Sequence, residues 1–68
     1  MKWTLIASRI YNNGNNSGFN IQCFVGGEEI EVNLRRELDS RVNDKADELT
    51  KRLHEDPNLQ AIEGSVEI

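Results

Sequence analysis

The chain has 68 residues, 37% of them apolar and only four aromatic (Trp3, Tyr11, Phe19, Phe24), with 12 acidic against 8 basic side chains and a net charge of −4. A domain of this length hides only about 60% of the surface its unfolded chain exposes, so the core is small and a homodimer or a bound partner is an expected source of further burial. The acidic balance argues against direct binding of nucleic acid or of an anionic membrane surface, since neutralising phosphates requires a net basic face, and the surplus is too small for a mimic of DNA.

Residues 2–11, KWTLIASRIY, read as a first strand, rich in β-branched and aromatic types and free of glycine and proline. Trp3, Leu5, Ala7 and Tyr11 share one parity, and Ile6 and Ile10 the other. The pattern leaves open which set faces the core. Either way apolar side chains remain on the far side of the sheet, which makes an exposed binding patch an expectation. The opening segment turns polar at Ser8 and Arg9, so neither a signal peptide nor a membrane span is expected, and a cytoplasmic location is. Residues 12–18, NNGNNSG, read as a polar loop at the tip of a first hairpin. Its asparagines Asn12, Asn13, Asn15 and Asn16 are candidate ligand contacts, although the ordinary explanation is a solvated, mobile turn.

Phe19 to Leu34, FNIQCFVGGEEIEVNL, carries the clearest pattern in the chain. Two alternating runs flank Gly26-Gly27, a pair suited to a primed two-residue turn because glycine reaches positive φ without steric cost. With that turn Cys23 falls opposite Ile30, Ile21 opposite Val32 and Phe19 opposite Leu34. One face is then apolar, while the other carries Asn20, Gln22, Glu29, Glu31 and Asn33 with Phe24 as its one large apolar member.

From Leu38 to Leu53 the period changes. Leu38, Val42, Ala46, Leu49 and Leu53 line one face of a helix, and Asp47 with Lys51 and Glu48 with Arg52 form acid-before-base pairs four residues apart. Asn33, Asp39 and Ser40 all qualify as N-caps, and Pro57 marks the end. Residues 58–68, NLQAIEGSVEI, read as a last strand in which Ile62, Gly64, Val66 and Ile68 share a parity, and its outer edge is a natural place for pairing.

The expected architecture is a single α+β domain over residues 1–68, βββαβ, with a four-stranded, mainly antiparallel sheet in the order 3-2-1-4 and one helix on one face. The helix is expected as a right-handed crossover that leaves the last strand parallel to the first. That order of elements resembles the opening half of the ribonuclease H fold and is similar to the compact partial version in HicB-type antitoxins. The first strand holds no Asp or Glu, so the metal-dependent nuclease chemistry of ribonuclease H is not expected with it.

No motif points to catalysis. Cys23 has the inward parity and no basic neighbour in sequence, which fits a core thiol rather than a nucleophile. His54, the single histidine, stands near the helix C-terminus, where it suits the helix dipole better than a base's role. Two Cys and His residues in total are too few for a structural zinc site, and Glu28, Glu29 and Glu31 lack the spacing of a calcium loop. No cofactor, no metal and no enzymatic activity are therefore expected. The leading expectation is a small acidic protein-binding module, similar in type to phage or prophage anti-defence inhibitors such as anti-CRISPR proteins, occluding a basic site on a host nucleic-acid-handling protein. Its expected contacts are Phe24, Glu28, Glu29 and Glu31, with Ile6 and Ile10. An antitoxin with a toxin-like partner, or a small-ligand binder using the asparagine loop, is the alternative.

Overall fold

The computed structural model describes residues 1–31 and 39–68. They form β1 (Lys2–Asn12), β2 (Asn15–Val25), β3 (Glu28–Ile30), α1 (Ser40–Glu55) and β4 (Ala61–Glu67). The strands make one sheet in the order β3-β2-β1-β4, and α1 lies across β1 and β4 on one face. This is the α+β architecture expected from the sequence, with one correction. β4 runs antiparallel to β1, from Ala61 opposite Ser8 to Glu67 opposite Lys2, and not parallel to it. The reason is the brevity of the link after the helix. Leu53 and Asp56 lie beside Arg9, toward the far end of β1, and residues 56–60 cannot run back along the sheet, because an extended chain spans at most about 3.6 Å per residue. β4 must start where α1 ends, so the likeness to half of the ribonuclease H fold stops at the order of elements.

The parity of β1, open in the sequence, is settled by packing. Trp3, Leu5 and Ala7 point at the helix and are buried. They meet Val42, Ala46, Leu49 and Leu53, the helical stripe expected from the spacing, and Cys23, which stands opposite both Leu5 and Ile30. Phe19, Ile21, Val25, Leu59, Ile62 and Val66 close the rim. Gly64 fits here because α1 passes directly over it. A Cβ at that position would lie 3.0 Å from Cδ2 of Leu49.

Both hairpins turn on two residues with positive φ, as type I′ turns require. Gly26 and Gly27 have φ of 60° and 83°, which confirms the second turn and the Cys23–Ile30 register. The pairings expected for Val32 and Leu34 lie outside the described residues. The first turn is tighter than the expected loop over 12–18: it consists of Asn13 and Gly14 (φ 54° and 82°), and Asn12 and Asn15 already pair across it. Asn-Gly is itself a strong hairpin signal. The remaining residues are absorbed by a bulge beside Ile10 and Tyr11, where Ser17 is the extra residue and its hydroxyl donates to the Ile10 carbonyl at 3.2 Å.

Of the candidate caps, Asp39 holds the start of α1. Its Oδ1 accepts the Arg41 backbone N–H at 2.7 Å, and its Oδ2 meets the Arg41 guanidinium at 2.8 Å. Leu38 and Asn33 lie outside the described residues. Glu48 bonds Lys45 at 2.9 Å, three residues away, with Arg52 adding a through-space attraction, so the expected pattern four residues apart is replaced in this pair. At the other end the helix stops at Glu55, and residues 56–60 form a turn in which Asp56 accepts from the Asn58 N–H at 3.1 Å. β4 consequently begins at Ala61 rather than at residue 58.

The cap has a pH consequence. Hydrogen bonds from the Arg41 side chain, then from its backbone, hold the Asp39 carboxyl below its ordinary 3.8. The folded state therefore binds that proton less readily than the unfolded chain, so the contribution is complete above the ordinary value and is lost as pH falls through the lower folded one. Asp39→Asn, which keeps a capping oxygen but cannot titrate, should flatten the acid limb of an unfolding midpoint plotted against pH. An unchanged slope would assign the acid limb to other carboxylates.

Candidate helix-free sheet face

In antiparallel strands, residues directly opposite share a face, so the register fixes what the side away from α1 presents. Thr4 stands between Phe24 and Ser65, Ile6 between Gln22 and Glu63, and Lys2 opposite Glu67. Phe24 is opposite Glu29, and the Gln22 amide donates to Glu29 Oε1 at 3.1 Å. Among the described residues no element packs on this side. The result is a shallow surface with Phe24 and Ile6 diagonal to each other at its centre, both half-buried by strand neighbours. Glu29, Glu63 and Glu67 against Lys2 give it an acidic rim.

Three of the expected contact residues, Phe24, Ile6 and Glu29, are brought together. Ile10 shares their face and is 43% exposed, but it lies four residues beyond Ile6, about 13 Å along the strand, on the part of the β1–β2 hairpin that extends past β4. Glu31 is exposed just after β3. Glu28 is not on this face, because it pairs with Val25, which has the helix-side parity. Asn12, Asn13, Asn15 and Asn16 line a tight turn rather than a loop able to wrap a ligand, and Asn16 Oδ1 accepts the Gly18 N–H at 3.2 Å.

Sequence reasoning missed Lys2, Glu63 and Glu67 as members of the site. The signal was available: the alternation of β4 puts Glu63 and Glu67 opposite the Ile62–Val66 set, and the strand order puts β4 beside β1. It also missed Arg9, which has the helix-side parity. Its Nε donates to the Leu59 carbonyl at 2.6 Å, and Nη2 to the carbonyls of Asp56 at 2.6 Å and of Leu53. The guanidinium also lies 5.6 Å from the Phe19 ring centre.

Cys23 is fully buried in the core. His54 is exposed in the last turn of α1. Among the described residues no group of three or more His, Cys, Asp and Glu is placed to hold a metal ion, and no helix is long and apolar enough to cross a membrane. Comparison with protein-family models, curated proteins and solved structures finds no match to this chain.

Proposed function

We propose that this chain is a non-enzymatic, cytoplasmic protein-binding module whose working surface is the helix-free face of the sheet. The supporting observation is the pair Ile6 and Phe24 at the centre of a face that no described element covers, ringed by Glu29, Glu63 and Glu67. An apolar centre that excludes water inside a charged rim is how affinity and steering divide in protein interfaces. The rim's sign selects a partner with a basic surface around an apolar contact. Sites that handle nucleic acid have that character, so occlusion of such a site, in the manner of an anti-defence inhibitor, is the mechanism this face supports. The asparagine tip offers a ligand nothing comparable.

The test is retention of a basic protein from a lysate of the source cells. Immobilised wild-type chain should hold it, less strongly as salt rises. Phe24→Ala combined with Glu29→Lys should weaken binding at least about tenfold, the effect of losing roughly 1.4 kcal/mol at an interface centre. Equal retention by the double variant would overturn the assignment of this face.

A further inference from the structure

The edge of β4 carries a second, independent surface. The Arg9 N–H donates to the Gln60 carbonyl and the Ile68 N–H to the Met1 carbonyl, and hydrogen-bonded pairs alternate with non-bonded ones along an antiparallel ladder. Trp3–Val66, Leu5–Gly64 and Ala7–Ile62 are therefore the bonded pairs within the β1–β4 register. The backbone N–H and C=O groups of Ala61, Glu63, Ser65 and Glu67 accordingly point away from β1. Among the described residues no strand lies beside them.

We infer that this edge pairs with a second copy of the chain, β4 against β4, antiparallel about a two-fold axis at Gly64. The pattern of β4 is self-complementary about Gly64, which selects a second copy as the occupant, and the placement of its charges selects the register. Only outward-pointing residues can bond across the axis, so the registers to compare are those that set odd positions opposite odd ones. Centring on residue 63 sets Glu63 against its own copy, and centring on residue 65 sets Glu63 against Glu67 twice. Centring on residue 62 or 66 leaves part of the strand unpaired. Centring on Gly64 pairs the whole of β4 and sets no like charges directly opposite, Glu63 being only diagonal to carboxylates of the other copy: Glu63 faces Ser65 and Glu67 faces Ala61, each pair exchanging two main-chain hydrogen bonds.

On the helix side the same register sets Ile62 against Val66, both only half-buried in the single chain. Gly64 meets Gly64 beneath the two Leu49 side chains. Residues opposite one another share a face, so both helices lie on one side of an eight-stranded sheet, twice the four strands of one copy. The two helix-free faces become continuous on the other side. The pairing does not depend on the function proposed for that face.

Sedimentation and light scattering across a series from micromolar to millimolar chain test it. The wild type should move from monomer to dimer mass. Ser65→Pro should stay monomeric at every concentration with its unfolding midpoint nearly unchanged, because the N–H it removes points outward and proline is tolerated at a sheet edge. Ser65→Glu, which sets a new carboxylate against Glu63 of the other copy without altering the backbone, should weaken the dimer and recover it in high salt, and it keeps the test open if the proline variant fails to fold. A wild type that remains monomeric throughout, or a dimer that Ser65→Glu leaves equally tight, would overturn the inference.

Discussion

Leu5→Ala should lower the stability of this domain by about 2–5 kcal/mol, the range for truncating a fully buried leucine. A chain of this size holds on the order of 3–10 kcal/mol in total, so the variant should be unfolded or close to it at room temperature. The large value follows from the neighbours. Leu5 is 0% exposed on a central strand, and its cross-strand partners are Cys23 and Gly64. Neither has the bulk to move into the space, and Leu49 is already held against the backbone at Gly64. The cavity therefore stays open. Leu5→Met, which keeps the volume, should cost less than about 1.5 kcal/mol. Denaturant unfolding followed by circular dichroism checks both, and a loss below about 1 kcal/mol for Leu5→Ala would mean that the core is not centred on this residue.

Arg9→Ala is the second large effect, expected at about 1.5–3 kcal/mol. One guanidinium satisfies carbonyls of Leu53, Asp56 and Leu59, and helix C-termini leave such groups without intrahelical partners. It thereby ties the end of α1 and the following turn to β1, beside the point from which β4 starts. Arg9→Lys should recover only part of the loss, since an ammonium cannot reproduce a planar fork aimed at several acceptors. Full recovery by lysine would show that charge near the helix terminus, and not geometry, is what matters. Amide exchange should show the effect first at the C-terminal turn of α1 and at Leu59, before the β1–β2 hairpin.

The elements legible in the sequence were those in which one physical rule acted without competition. Gly26-Gly27 could do little but turn, and Val42, Ala46, Leu49 and Leu53 could share a face only in a helix. Strand order followed from short connections. The direction of β4 was not legible, because it depends on which end of the sheet the helix terminates at, and that is set by the long-range packing of α1 on the sheet, which no local pattern announces. The first hairpin was readable in Asn13-Gly14, yet the run of asparagines around it resembled an open loop; the pairing of Asn12 with Asn15 depends on a bulge that no local pattern announces. At the candidate face, alternation placed Phe24 and Glu29 together. Glu28 was misplaced because consecutive strand residues point to opposite sides, so an acidic pair in sequence is not a pair in space. The alternation of β4 already put Glu63 and Glu67 on that face, and the β1–β4 register adds which of them stands beside Ile6 and which beside Lys2.

The helix-side face of the sheet holds the core, and among the described residues no element covers the opposite face, the one proposed to bind. Phe24→Ala tests that division most directly, by its unfolding free energy measured beside that of Leu5→Ala. Phe24 is half-buried only by strand neighbours, so its truncation should cost no more than about 1 kcal/mol while Leu5→Ala costs several times as much. Comparable losses in the two variants would place Phe24 in the core and contradict the assignment of a free, working face.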